Sequence, residues 1–307
     1  MVNLINIFYL LQSKMEEETM SQAVLILAHK DFGQVHALAK HLKPYFEIYI
    51  HFDSKNKLTP KQISQFEDDG FYCFQKYEIN WGAWSICRAM LLLLKEAYRN
   101  TSNTYFHFIS GQDWPIGSPR KIYEFYENNS SIYLRWRLAK NTKETGEPIE
   151  LWQKYYFDYD KITRQSLFGV LYHRYTLLKQ TLKHINKFND LNIPFELYQG
   201  SQWSDLPRDA VQYCLKFLED NPNYQKMLET GFCSDEFLIQ SILCNSSLKD
   251  RIVNDNHRFI KLKKQHGSYP AILDSENLTE IASGNFHFAR KIDFTHSKNL
   301  VEKLNQL

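Results

Sequence analysis

Two short runs constrain this chain most. Ala23–Ala28 (AVLILA) is apolar throughout, and Tyr105–Ser110 (YFHFIS) nearly so, each over the length of one strand. A strand that is apolar on both faces must be covered on both faces, as in a parallel sheet flanked by helices. Helix-like periodicity follows at Phe32–Leu42. Further strands are expected at Glu47–Phe52 (EIYIHF) and Gly70–Phe74, and Ala83–Tyr98 has the length and leucine density of a buried helix. Strands alternating with helices at this spacing predict an α/β fold with a central, mainly parallel sheet. Ligands of such sheets bind outside the carboxyl ends of the strands. Here those ends carry His29, Asp53 and the loop Gly111–Pro115, which contains Asp113.

The second half is less regular. Ser118-Pro119 reads as a helix start, with a serine cap and proline in the first turn. Leu134–Asp160 is polar, aromatic and poorly periodic, and is read as a long loop. Ser166–Phe188 reads as a helix carrying Leu167, Leu171, Leu177, Leu178 and Leu182 beside Arg174, Lys179, Lys183 and Lys187. That pattern suits a solvated face, or contact with a membrane surface or an anionic acceptor. Helices are also expected at Pro207–Leu218, Ser234–Leu243, Glu276–Ala282 and Ser297–Leu307.

At the N-terminus, the apolar run Leu4–Leu11 is interrupted by Asn6 and too short to span a bilayer. It also lacks the basic flank and cleavage site of a signal peptide. Residues 1–20 are therefore expected to be an extension, and 21–307 a single domain. The expected location is cytoplasmic, or peripheral to the inner face of the cell membrane. A net charge of +2 gives no sign of a nucleic-acid binder. Five scattered cysteines without a CxxC suggest core thiols in a reducing compartment.

The motifs narrow the chemistry by elimination. No GxGxxG follows the first strand, and neither a Walker A sequence nor a GxSxG elbow occurs. The turn Gly111-Gln112-Asp113-Trp114 offers one carboxylate where metal-dependent nucleotide-sugar transferases carry Asp-x-Asp; Asp158-Tyr159-Asp160 is the remaining acidic tripeptide. Without a metal, a departing diphosphate needs Arg or Lys. The C-terminal third supplies Arg258, Lys261, Lys263, Lys264, Arg290 and Lys291. Ser234-Asp235-Glu236 places two acids in an expected first helical turn, where they either complement the helix dipole or serve as a general base.

Several separated segments match one family. Ala23–Lys30 (AVLILAHK) resembles its opening strand and Tyr49–Lys55 (YIHFDSK) its IHxDxK segment. Asn80–Ser85 (NWGAWS) is similar to xxWGxxS, and Phe108–Ile116 (FISGQDWPI) to LSGxDxPI. Gly200–Trp203 with Leu206 and Arg208 resembles GSQWxxLxR, Cys233–Phe237 (CSDEF) resembles xPDExF, and Ser283–Asp293 (SGNFHFARKID) resembles SxxLFARKFD. In this order they resemble the core-2/I-branching β-1,6-N-acetylglucosaminyltransferase family, which also contains the peptide O-xylosyltransferases.

The resemblance implies a GT-A-like fold, inversion at the anomeric carbon, a UDP-sugar donor, and neither metal nor cofactor. Carried over residue by residue, it implies Glu236 as catalytic base and Lys291, with Arg290 and Arg258, as diphosphate cations. It further implies His29, Asp53, Gly111 and Asp113 in the nucleotide pocket, and Trp203 and Asp235 near the acceptor. Residues 21–130 would form the nucleotide-binding half and 131–307 the acceptor and catalytic half. The short form resembles microbial members, for which N-acetylglucosamine transfer to surface polysaccharide or lipid-linked oligosaccharide is the expectation. UDP-xylose as donor, or a non-catalytic binding protein on this scaffold, are the alternatives. Ser234 departs from the family's usual proline.

Overall fold

The computed structural model describes residues 20–140, 152–156, 159–163 and 166–307. The expected extension up to residue 19, and Asp158 of the acidic tripeptide, lie outside the described residues. The strands are β1 (Ser21–Ala28), β2 (Glu47–Phe52), β3 (Tyr72–Phe74), β4 (Asn103–Ser110), β5 (Asp113–Pro115), β6 (Ile132–Leu138), β7 (Tyr198–Pro207), β8 (Ile252–Val253), β9 (Arg258–Ile260) and β10 (Phe288–Arg290). Seven form the central sheet in the order β3-β2-β1-β4-β7-β6-β8, and β5-β10-β9 form a small second sheet. In the large sheet every strand runs one way except β7, which is antiparallel to both β4 and β6. The fold is the α/β class expected from the strand–helix alternation.

β1 shows why its sequence is apolar throughout. Leu25 joins the layer of helices Trp84–Arg99 and Arg208–Asp220, while Val24 and Ile26 join the layer of Phe32–Leu42 and Phe294–Leu304. Alternate side chains point to opposite faces of a strand, so covering both faces demands a continuous run. The helices are set by local signals. Asp31 caps Phe32–Leu42 by accepting from the Gln34 amide, and Thr59 with Gln62 forms a capping box on Pro60–Asp68. Ser118 and Pro119 start Pro119–Glu127 as the sequence predicts.

Three expectations are corrected. The segment read as a loop from Leu134 begins within β6, which pairs with β7. A register shift between Leu134 and Trp136 breaks the two-residue alternation, so the strand hides from a periodicity reading. Ser234–Leu243 is not one capped helix but a 3-10 turn, Ser234–Glu236, followed by the helix Leu238–Cys244. Ser234 Oγ donates to the Leu228 carbonyl at 2.6 Å and so does not cap. The helix after Ser166 ends at Leu182, and Lys187 is no solvated cation. Lys187 is 1% exposed, donates to the carbonyls of Met227 (3.0 Å) and Thr230 (3.1 Å), and burial lowers its pKa to about 7.

A buried ionic group ties the two sheets together. Asp205 on β7 forms a two-pronged ion pair with Arg258 on β9, accepts from His107 on β4 at 2.9 Å, and accepts from the Tyr126 hydroxyl at 2.9 Å. Burial alone would raise the Asp205 pKa, but Arg258 and then His107 outweigh it and hold the carboxyl well below the usual carboxylate range.

Two substitutions test this frame. Arg258→Ala leaves Asp205 buried without its cation and is expected to cost about 3–5 kcal/mol. Gly200 is a second fixed point, because a Cβ there would stand 1.7 Å from the Arg135 carbonyl oxygen. Gly200→Ala is expected to cost about 3 kcal/mol or more by forcing β6 and β7 apart. Urea titration checks both, through a lower midpoint at unchanged slope.

Candidate active site

Strand order reverses at β1, with β2 on one side and β4 on the other, and a cleft of about 350 Å³ opens beyond their carboxyl ends. β1 contributes Leu27 and Ala28, followed by His29; β2 contributes His51, followed by Asp53; β4 contributes Ser110, followed by Gln112. Because β7 runs against β4, its Gln202 and Trp203 reach the same end. Trp81 and the helix residues Ile86 and Ala89 close one side, and Arg290 closes another.

Asp53 is held ready to accept. Its Oδ1 takes the amides of Lys55 (3.0 Å) and Ile79 (3.1 Å), which fixes the carboxylate in the cleft wall. His51 accepts the Tyr77 amide on Nε2 at 3.1 Å, so the proton is assigned to Nδ1, which is buried without a protein partner. Burial lowers the His51 pKa to about 4, keeping the ring neutral and a donor. Desolvation together with neighbouring Lys30 pushes the His29 pKa down, against an opposing pull from Asp53.

Arg290 is positioned by the small sheet. β10 pairs with β5 so that Arg290 lies opposite Asp113, and the side chains form an ion pair at 3.5 Å. The guanidinium also lies 4.3 Å from the centre of the Trp203 ring and donates to Ser110 Oγ at 3.3 Å. Lys291 is not among the lining residues, but its charge acts on His29, which is. Burial and the neighbouring Arg290 and Lys30 push the Lys291 pKa down. Lys30 also pairs with Asp293 at 2.9 Å. The carboxyl edge of β1 therefore gathers three cations, Lys30, Arg290 and Lys291, whose charges all act on His29.

Other expected residues stand elsewhere. Arg258 is 5% exposed and committed to Asp205 and to the carbonyls of Phe108 and Asn256, away from the cleft lining. Gly111 and Asp113 lie behind the wall formed by Ser110 and Gln112. A Cβ on Gly111 would come 2.7 Å from Val35, and Asp113 holds the Ser110 amide and Arg290. Trp203, expected toward the acceptor, lies in the cleft beneath Arg290. Asp160 of the acidic tripeptide accepts the Ser85 amide at 3.1 Å and pairs with Arg88, fastening the start of the helix Trp84–Arg99.

Glu236 is not a lining residue of the cleft. Its turn packs against both β7 and the helix Trp84–Arg99, the elements that supply Gln202, Trp203, Ile86 and Ala89. Gln199 on β7 donates to Glu236 Oε2 at 2.8 Å, and its side-chain Oε1 accepts from the Arg137 guanidinium at 2.7 and 3.1 Å. This chain of donors orients the Glu236 carboxylate. Its neighbour Asp235 is buried, its Oδ1 has no partner, and burial pushes its pKa up to about 6. His51, Trp81, Gln199 and Gln202 are site residues that the sequence reading missed. For His51 and Trp81 the signal was present, as a polar group ending a buried run and an aromatic beside Gly82.

The profile of the core-2/I-branching enzyme family matches residues 23–282. A β-glucuronosyltransferase of Arabidopsis thaliana, GlcAT14A, is 28% identical over 133 residues, covering 40% of this chain and 29% of its own length. The chain thus spans under a third of that relative. Among solved structures, the apo form of the bifunctional glycosyltransferase WbbM is similar at 9% identity with a TM-score of 0.44, over 95% of this chain and 53% of that one. HddC from Yersinia pseudotuberculosis is similar at 14% identity with a TM-score of 0.25, over 39% of this chain and 60% of that one. On the family match, which runs through β1, β2, β4 and β7 and includes Glu236, the chain belongs to the core-2/I-branching enzyme family of glycosyltransferases.

Proposed function

We propose that the chain transfers N-acetylglucosamine from UDP-N-acetylglucosamine to a glycan hydroxyl, with inversion and without a metal, in surface glycan synthesis. The observation that supports a nucleoside-diphosphate donor is the group of cations, Lys30, Arg290 and Lys291, at the carboxyl edge of β1 beside Asp53. Asp53 suits a nucleoside hydroxyl or ring N–H, since Lys55 and Ile79 already fix its orientation.

In the proposed step, Glu236 takes the proton from the acceptor hydroxyl and that oxygen bonds to the anomeric carbon of the sugar. The bond from that carbon to the diphosphate oxygen breaks on the opposite face, and its electron pair leaves with UDP. Arg290 and Lys291 stabilise the charge that develops there, since charge-assisted bonds in a partly desolvated site are stronger than in water. Gln199 keeps the Glu236 carboxylate aimed, backed by Arg137.

The donor is tested by thermal shift with UDP, UDP-N-acetylglucosamine, UDP-xylose and UDP-glucuronate, each with EDTA and with Mn²⁺. A ligand at 100 times its Kd stabilises by about 2.7 kcal/mol. The expected result is stabilisation by UDP-N-acetylglucosamine that EDTA does not diminish. A requirement for Mn²⁺ would overturn the metal-free reading. Preference for UDP-glucuronate would instead align the chain with its Arabidopsis relative. Lys291→Ala is expected to weaken UDP by about tenfold, the effect of losing one charge-assisted bond. Glu236→Gln is expected to lower transfer by about 10²–10⁴-fold while leaving the UDP shift intact; wild-type turnover by this variant would remove Glu236 from the base role.

A further inference from the structure

The helix Leu167–Leu182 is mounted with its apolar side outward. Leu167, Phe168, Leu171, Tyr175, Leu178 and Leu182 are each 60–88% exposed. At 3.6 residues per turn these six fall within an arc of about 100°. The opposite side carries buried polar groups: Gln180 exchanges hydrogen bonds with the Tyr155 backbone at 2.7 and 2.8 Å, and His173 bonds the Tyr159 hydroxyl. A surface helix of a globular protein ordinarily turns its apolar stripe to the core. Here the inward side is already occupied by these polar contacts and by the packing of Tyr172 and Leu177, and the outward stripe is left to meet something else.

The charge around the stripe says what that is. Leu167–His184 contains no Asp or Glu, and Arg174, Lys179 and Lys183 are exposed. Arg174 and Lys179 fall on opposite rims of the arc, each about 20° beyond its last apolar side chain. Two copies meeting face to face would bring these rims together as like charges. An anionic surface satisfies both rims at once, and Phe168 and Tyr175 suit the boundary between headgroups and acyl chains. We propose that this face docks on an anionic lipid bilayer.

The docked helix would also orient the cleft. Tyr172 and Leu177 pack with Ala83 and Phe232, and Phe232 meets the Trp81 ring edge-on at 5.3 Å. Trp81 lines the cleft, so a bilayer under this helix stands on the Trp81 side. Resting on the transferase reading above, this geometry favours a lipid-linked glycan as acceptor.

The test is co-sedimentation of the full chain with phosphatidylcholine vesicles, with and without phosphatidylglycerol. Wild type is expected to sediment with the phosphatidylglycerol vesicles, less so without them or at high salt. The double variant Leu171→Ser/Leu178→Ser is expected to bind on the order of tenfold more weakly. Lys179→Glu/Lys183→Glu should lose the preference for phosphatidylglycerol. All these positions are exposed, so the melting temperature and the UDP-induced shift are expected to match wild type. That shift separates failure of docking from failure of the transferase reading. Absence of wild-type sedimentation would overturn the proposal, as would equal binding by the Leu→Ser variant, which would place the contact elsewhere in the chain. A wild-type dimer that the Leu→Ser variant splits into monomers would overturn it too, assigning the face to a second copy.

Discussion

The carboxylate of Asp205 is the point on which the two sheets depend. It sits at 0% exposure on β7, the one strand of the large sheet that runs backward, and touches groups from β4, β9 and the helix Pro119–Glu127. A buried carboxylate is costly unless both oxygens are occupied, and here Arg258, His107 and Tyr126 occupy them. Apolar packing could hold these elements at many relative offsets. A two-pronged guanidinium pair accepts few, so it sets how far β9 sits from β4 and β7. β10 is hydrogen-bonded to β9, and Arg290 lies on β10. The position of the cleft's cation thus follows from an ion pair that never reaches solvent.

How much was legible in the sequence depended on what each residue's neighbours had to be. β1 and β4 were legible because burial on both faces leaves an unbroken apolar run. From them the sheet class and the place of His29 at its carboxyl edge followed, and the strand Glu47–Phe52 placed Asp53 beside it. β6 and β7 were not. β7 is polar in its first half, where it serves the site, and a register shift against β6 erases the alternation of both. Gly200 sits at that irregularity, where no side chain fits.

The cations divide in the same way. Arg258 and Arg290 look alike in sequence, each near apolar residues that demand a partner. Only the fold shows that Asp205 and the carbonyls of Phe108 and Asn256 hold Arg258 away from the cleft, whereas Asp113 meets Arg290 at a looser 3.5 Å and leaves the guanidinium over Trp203 at the cleft. Glu236 was legible as a motif residue but not as the end of a donor chain, since Gln199 and Arg137 lie on strands the sequence did not reveal. The outward stripe of the helix Leu167–Leu182 was visible as periodicity, but periodicity does not say which way a helix faces.

β10 spans Phe288–Arg290, after all seven strands of the large sheet, and is the middle strand of the small one. In chain order, β1 through β8 all precede Arg290. Without Arg290, Trp203 would lose the guanidinium above it and Asp113 its ion pair. A chain cut short at residue 287 would contain all seven strands of the large sheet while lacking the half-buried guanidinium of the cleft.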